Sequence, residues 1–341
     1  MDGSVTGSPA VPTAQIRIDH YSAVDLAAAA ARTLARTCRM SGALPEQAAV
    51  LASELASNLD KHASDGTLYL QPLLLGGGLE ILAADCGPGM ADLRQALTDG
   101  YTTTATLGAG LGAVSRIATD FTIRTQVDTG TLACARLSAP GGADVRQDIG
   151  SLCLPVETEK DCGDACAAAD TADARTVVVV DGLGHGSPAA EAAQTALRVF
   201  QRAPDRPLPD TLTAMHRALR HTRGAAVGML RLRSGHAEYC GIGNVRASVL
   251  SQDTVHHRLS GQPGVVGLTL PTPRTHRIAL EPGAVLVLHS DGIDERWTHA
   301  PSRFLLRLPP ALLAVALAHN HRRIRDDAGV VVARAPGHPH A

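Results

Sequence analysis

"VVVVDGLGHGSPAAEAAQTALRVF", residues 177–200, runs four β-branched residues straight into a carboxylate, Asp181. The valines read as a buried strand, and "SPAAEAAQTALRVF" reads as a helix, parted from the strand by glycines on either side of Leu183. A carboxylate at the end of a buried strand costs free energy unless a counter-charge meets it. A second stretch, "EILAADCGPGMADL" at residues 80–93, repeats the arrangement with Asp85. What these two acids meet decides the fold and the chemistry.

The 341 residues exceed what a single core usually holds, which predicts two domains. Hydrophobic residues make up 45% of the chain and aromatics 2%, so Ala, Leu and Val must supply the cores. A net charge of −2 gives no general attraction to nucleic acid or anionic membranes, and neither is expected as a partner. No run approaches the roughly 20 apolar residues of a membrane span, and the N-terminus lacks a signal-peptide pattern. The seven cysteines are scattered, and "CGDAC" (162–166) has the wrong spacing for a CxxC site. They read as reduced thiols, and a cytoplasmic location is expected.

Two helices are predicted at 21–38 and 44–63, the second with Leu44, Ala48, Leu51, Leu55 and Leu59 on one face. Strands follow at 66–74, 79–85, 120–126 and 130–138, the last two as a hairpin, with helical stretches at 90–100 and 111–119. This order is α+β, with helices on one face of a mixed sheet. The run "SAPGGADVRQDIGS" (138–151) breaks the pattern and marks a linker at 140–150. Beyond it, strands at 176–181, 224–235, 236–244, 246–251, 284–292 and 328–334 alternate with helices at 189–200, 208–222 and 309–322. That alternation predicts a layered sandwich.

In the first half, Glu54 and Asn58 lie four residues apart in "SELASNLDKHA" and project from one helix face. Taken alone they are an ordinary exposed pair. Asp85 is followed by Gly87, Pro88 and Gly89; a strand-end carboxylate can accept from an exocyclic amine, and glycines let a flat ring approach the backbone. Taken alone this run is also a turn. Gly108, Gly110 and Gly112 lead into a helix, where backbone N–H groups can hold phosphate, without the preceding strand of a Rossmann fingerprint.

In this order, "ASELASNLDKHA", "DCGPGM" and "DGYTTTATLGAGLGAVSRIATDF" resemble the N box, first glycine box, and short lid with second box of the GHKL-fold (Bergerat) ATPases. The likeness is to the small anti-sigma and switch-kinase branch, the RsbW- and RsbT-like proteins, and covers roughly residues 13–138. It implies an α/β sandwich that binds ATP with Mg²⁺. By the same likeness Asn58 would ligate Mg²⁺, and Asp85 would hold the adenine amine with support from Thr131. Gly87, Gly89, Gly108, Gly110 and Gly112 would line the nucleotide. Glu54 would be the general base that activates the hydroxyl to be phosphorylated.

Transferring a phosphoryl group to water needs charge neutralisation and an aligned nucleophile, which a pair of hard divalent cations can supply. The second half places acids where strands end or begin: Asp164 in "CGDAC", Asp181, Asp291 in "LVLHSDG", and Asp326 with Asp327 in "RDDAGVVV". D-G is also a common turn dipeptide, but four such sites in one domain point to a shared cation. The runs "CGDA", "VDGLGHGSPAAEAA", "LHSDGI" and "RDDAGVVV" resemble the PPM-type metal-dependent Ser/Thr phosphatases of the SpoIIE-like branch, in the compact RsbX form, over about residues 158–334. That likeness implies an α-β-β-α sandwich holding two Mn²⁺ or Mg²⁺ ions. Asp181 would bridge both ions as the catalytic ligand, the Gly182 carbonyl would bind one, and Asp164, Asp291 and Asp326 would complete the set. Hydrolysis would be direct, with no covalent intermediate. Gly329 departs from the pattern, since the family usually carries Thr there. His185 reads as an exposed loop residue, with protonation of the leaving serine oxygen as its alternative role. Asn244 reads as a turn residue and "HNHRRIR" (319–325) as a solvated helix end.

The expectation is a GHKL ATPase and serine-kinase domain at 13–139, a linker at 140–150 and a PPM phosphatase domain at 151–335. By resemblance the substrate is a Ser or Thr of a STAS-domain antagonist protein, phosphorylated by one half and dephosphorylated by the other. A sigma factor or a downstream phosphatase is a further expected partner, in a pathway controlling a sigma factor or stress response. The alternative is an ATP-gated phosphatase whose N-terminal half only binds a partner. Glu54 favours the kinase, because binding alone needs no base.

Overall fold

The computed structural model describes residues 5–6, 11–93, 110–139 and 145–336. The chain divides into two compact units: Thr13–Val145, and Arg146–Ala341 together with Met1–Pro12. A two-residue strand, β1 (Val5–Thr6), belongs to the second unit although it precedes the first in the chain.

The first unit comprises β2 (Ala14–Arg17), α1 (Ser22–Thr37), α2 (Leu44–His62), β3 (Thr67–Pro72), β4 (Leu79–Ala84), α3 (Gly110–Ile117), β5 (Asp120–Gln126) and β6 (Gly130–Leu137). Helix α1 buries Ala23, Ala27, Ala31 and Ala35, a stripe spaced by four. Those small side chains let α2 approach closely, and α2 turns Leu51, Leu55 and Leu59 into the same core as Leu68, Leu70, Leu79 and Ile81 of the sheet. The sheet order is β2-β3-β4-β6-β5, and every pairing is antiparallel. The mixed sheet expected from sequence is therefore corrected. Two helices link β2 to β3, which returns the strand reversed, whereas a single crossover helix would return it parallel. At the β5–β6 turn a Cβ on Gly130 would lie 2.0 Å from the Asp85 carbonyl oxygen, and its φ is 126°. Glycine is required there. Most of the helix expected at 90–100 lies outside the described residues.

The second unit continues with β7 (Ile149–Leu154), β8 (Asp164–Asp170), β9 (Arg175–Gly182), α4 (Ser187–Arg202), α5 (Leu208–Ala218), β10 (Ala225–Arg233), β11 (His236–Ile242) and β12 (Arg246–Leu250). It ends with β13 (Val255–Ser260), β14 (His276–Ala279), β15 (Val285–His289), α6 (Pro310–Asn320) and β16 (Ala328–Ala333). Ile149 and Gly150, read from sequence as linker, are the first residues of β7. One sheet runs β1-β8-β9-β10-β11-β14 and the other β13-β12-β15-β16-β7. Helices α4 and α5 lie on the first sheet, α6 lies on the second, and the sheets face each other through β8, β9 and β10 against β7, β15 and β16. The layers are α-β-β-α. The valine run is now explained: Val178 and Val180 face α4, while Val177 and Val179 alternate to the inter-sheet side, so no polar residue fits. At the far end of β9 the fully buried Arg175 pairs with Asp170 at 2.7 Å and Asp148 at 2.9 Å. No described helix is long and apolar enough to cross a membrane.

Candidate active sites

Along β8 and β9, Ala165, Ala167, Ala169, Val178 and Val180 face the helices. By two-residue alternation Asp164 and Asp181 point the other way, between the sheets, and they are direct cross-strand partners. The opposite sheet contributes Asp291, just after β15, and Asp326 and Asp327, just before β16. The charges of Asp291, Asp326 and Asp327 reach Asp181, and those of Asp181, Asp326 and Asp327 reach Asp164. Burial first, and these neighbours second, push the Asp181 carboxyl up to about 7 and hold Asp164 well above the carboxylate range. Asp326 is raised as well, by burial and then by Asp291.

The acids are held by groups the sequence did not single out. The Ser290 hydroxyl donates to Asp164 Oδ2 at 2.5 Å and accepts the Gly329 N–H at 3.0 Å, while the Ser290 N–H donates to the Gly329 carbonyl at 2.9 Å. The place of the expected Thr is occupied: a Cβ on Gly329 would sit 3.2 Å from Asp164 Oδ2 and 3.3 Å from Val179 Cγ1. Asn244, read as a turn residue, hydrogen-bonds Asp181 through its side chain and lowers the carboxyl's pKa against the other effects. Asp327 Oδ1 accepts the Val156 N–H at 2.9 Å, whereas its Oδ2 is buried with no hydrogen-bond partner among the described residues. Gly182, the last residue of β9, donates its N–H to the Gly163 carbonyl at 3.0 Å.

As the side chains stand, no group of three or more described His, Cys, Asp or Glu residues is arranged to hold a metal ion. The donor set nonetheless has hard-cation chemistry: carboxylates that raise one another's pKa, and one buried carboxylate oxygen that accepts from nothing. A divalent cation is the partner that satisfies such a set. The residues fit the ion.

Of two other sequence readings, the first stands and the second changes. His185 is 68% exposed, as expected, and pairs with Glu159 at 3.0 Å. The run at 319–325 is more than a solvated helix end. Arg322 donates to the Pro155 and Asp326 carbonyls, and the Arg323 N–H donates to the Gly292 carbonyl at 2.8 Å, which ties together the loops bearing Asp291 and Asp326.

In the first unit, Asp85 follows β4 and is half-buried. Its Oδ1 accepts the Gly87 N–H at 2.7 Å and the Thr131 N–H at 3.3 Å, and nothing among the described residues donates to its Oδ2. Burial raises its pKa, against the two backbone donors. Thr131 also shares a hydroxyl contact of 3.1 Å with Thr125. Gly87 lies where a Cβ would be 3.0 Å from the His62 carbonyl oxygen, and the Cys86 N–H donates to the Ser64 carbonyl at 2.9 Å. The end of α2 is thus fastened to the Asp85 loop, with Asn58 one turn back along α2 and Glu54 a further turn away. Asn58 Nδ2 is buried without a hydrogen-bond partner among the described residues. Gly89 takes φ 70° beside the Gln126 carbonyl, and Gly110 and Gly112 belong to α3, which packs on α2. Gly108 lies outside the described residues. A carboxylate with a spare oxygen, an orphan amide and a glycine-lined loop fit an adenine nucleotide.

Comparison with known proteins matches part of the second unit to a family and the chain to two curated relatives. Residues 172–336 match the family model of Stage II sporulation protein E (SpoIIE). The chain is 38% identical over 81 residues to the serine/threonine-protein kinase RsbT of Bacillus subtilis (strain 168), covering 23% of this chain and 61% of RsbT. The chain thus spans about three fifths of that relative's length. It is 25% identical over 150 residues to the phosphoserine phosphatase RsbX of the same organism, covering 41% of this chain and 72% of RsbX. A solved structure from work on "the bacterial stressosome: a modular system that has been adapted to control secondary messenger signaling" is 30% identical, with a TM-score of 0.51, and spans 55% of this chain and 98% of its own. The acids at 181, 291 and 326 fall within the matched stretch, and residues 172–336 form a domain of the SpoIIE family.

Proposed function

We propose that the chain is a partner-switching regulator with two opposed activities. The second unit hydrolyses phosphoserine or phosphothreonine on a STAS-type antagonist protein with two Mg²⁺ or Mn²⁺ ions. The first unit binds ATP and Mg²⁺ and phosphorylates the same kind of residue. The observation that carries this reading is the gathering of five carboxylates from both sheets at one end of the sandwich, with Asp181 among them. Similarity to SpoIIE, RsbX and RsbT supports it.

Bound divalent cations would neutralise the cluster and supply an activated water for attack on phosphorus. Asp181 would serve both ions, and Asp164, the Gly182 carbonyl, Asp291 and Asp326 would complete the set. Ser290 holds Asp164, and Asn244 holds Asp181, so both carboxylates are aimed before an ion arrives. In the other unit, Asp85 Oδ2 would accept from the adenine amine and Asn58 would ligate Mg²⁺. Glu54 would take the proton of the attacking hydroxyl.

The test is turnover of p-nitrophenyl phosphate and of a phosphoserine protein by the full chain. Activity with Mn²⁺ or Mg²⁺ that ends on adding EDTA is expected. Turnover that survives EDTA overturns the metal-dependent reading.

A further inference from the structure

Resting on the phosphatase reading, we propose that Arg223 is the residue that grips the substrate's phosphoryl oxygens at the SpoIIE-type site. The argument begins at Gly184, three residues beyond Asp181 in the loop that leaves β9. Its φ is 85°, and a Cβ there would lie 2.8 Å from Arg223 NH1. The same residue also lies close to the acids' end of the sheet. The Gly184 carbonyl oxygen lies 3.4 Å, and the orphan Asp327 Oδ2 2.6 Å, from the place a Cβ on Gly163 would take. Gly184 therefore neighbours both the guanidinium and the loop of Gly163 that Asp327 abuts, and its missing side chain is what lets Arg223 lie so close.

The backbone fixes Arg223 in this place. The Leu183 N–H donates to the Gly224 carbonyl at 3.0 Å, and in the β9–β10 ladder Ala225 pairs with Gly182 and Ala226 with Asp181. Arg223 is thus two residues from the strand position opposite Gly182. Its side chain is exposed and makes no ion pair or hydrogen bond among the described residues. Other arginines of this unit are engaged: Arg322 on the Pro155 and Asp326 carbonyls, Arg246 with Glu295, and Arg323 with the charges of Asp294 and Asp326.

Charge balance shows why a further cation belongs there. Five carboxylates outnumber the charge of two divalent ions by one, before a phosphate dianion arrives. A planar guanidinium offers paired donors to phosphate oxygens and cannot be neutralised at working pH. Exposed Leu183 and Leu268 flank the position; Leu268 Cγ lies 3.3 Å from where a Cβ on Gly224 would be. An arginine beside exposed apolar residues suits a phosphorylated residue presented on a protein.

The experiment measures steady-state turnover of p-nitrophenyl phosphate by the full chain with Mn²⁺, inhibition by inorganic phosphate, and Mn²⁺ binding by calorimetry. Arg223→Ala should raise both KM and the phosphate inhibition constant by about 10- to 100-fold, the loss expected for a charge-assisted contact, with a smaller change in kcat. Arg223→Lys should recover part of the loss. Gly184→Ala, whose methyl group would collide with the guanidinium, should shift both constants in the same direction while Mn²⁺ binds as in wild type. Arg303→Ala, which removes an equal charge from an exposed position away from the acids' loops, should change neither. Wild-type KM and phosphate inhibition in Arg223→Ala would overturn the proposal, as would an equal loss in Arg303→Ala. A wild-type chain inactive with Mn²⁺ would instead defeat the phosphatase reading, and phosphate binding by calorimetry, unaltered in Arg223→Ala, would then defeat this one separately.

Discussion

Asp164 and Asp181 are direct cross-strand partners, two like charges side by side between the sheets of the second unit. Such a pair opposes folding whenever both are ionised. A carboxyl raised in the folded state contributes stability that is complete below its unfolded pKa of about 4. That contribution is lost as pH rises through the folded value, about 7 for Asp181. In EDTA the melting temperature of the full chain should therefore fall between about pH 5 and pH 8. Mn²⁺ should raise it more at the higher pH, by about 2–4 °C for each kcal/mol of repulsion relieved. Scanning calorimetry at the two pH values reads this directly, and a melting temperature independent of both pH and Mn²⁺ would contradict it.

Asp181→Asn should move activity and stability in opposite directions. Turnover should fall by several orders of magnitude, because a ligand proposed to serve both ions is lost. Stability in EDTA at pH 8 should rise, because one charge leaves the cluster while a side chain of the same shape remains beside Asn244. Loss of stability together with activity would mark Asp181 as structural.

Ser290→Ala should destabilise the second unit by about 1–3 kcal/mol. The hydroxyl both holds Asp164 and accepts the Gly329 N–H, so its removal leaves a buried donor unpaired. Mn²⁺ should also bind more weakly, since Asp164 is no longer aimed. Urea denaturation and calorimetry of the same variant test the two effects.

Asp85→Asn and Asn58→Ala should weaken ATP binding by about ten-fold or more without unfolding the first unit. An amide oxygen at position 85 still accepts the Gly87 and Thr131 N–H groups, so the loop survives while its acceptor for the adenine amine weakens. Nucleotide titration by calorimetry decides this, and wild-type affinity in both variants would remove the site assignment.

The acids that end strands were legible because a carboxylate beside "VVVV" or "LVLH" has no apolar reason to be there. Strand β8, "DACAAAD", was not, because alanine has low strand propensity and its role shows only in the close approach of α4. Strand β7 begins within a stretch that glycine and proline marked as linker. Asn244 and Ser290 escaped for a different reason. Their partners, Asp181 and Asp164, lie 63 and 126 residues away along the chain, and only the folded sheets bring them into contact. The mixed sheet gave way to an antiparallel one because the sense in which strands pair is set by the connections between them, which no single stretch displays.

The central claim is that two sites in one chain act oppositely on one residue of one partner. A shared chain would hold both near a single docked substrate at high effective concentration. The decisive measurement is mass spectrometry of a STAS-domain protein after incubation with ATP, Mg²⁺, Mn²⁺ and each of three full-length proteins. Little phosphorylated partner should accumulate with wild type, and it should build up with Asp181→Asn, where removal stops. None should form with Glu54→Ala although ATP still binds, because only the base is lost. Phosphate that never appears with Asp181→Asn, or that sits on a residue the wild-type phosphatase does not clear, would contradict the account.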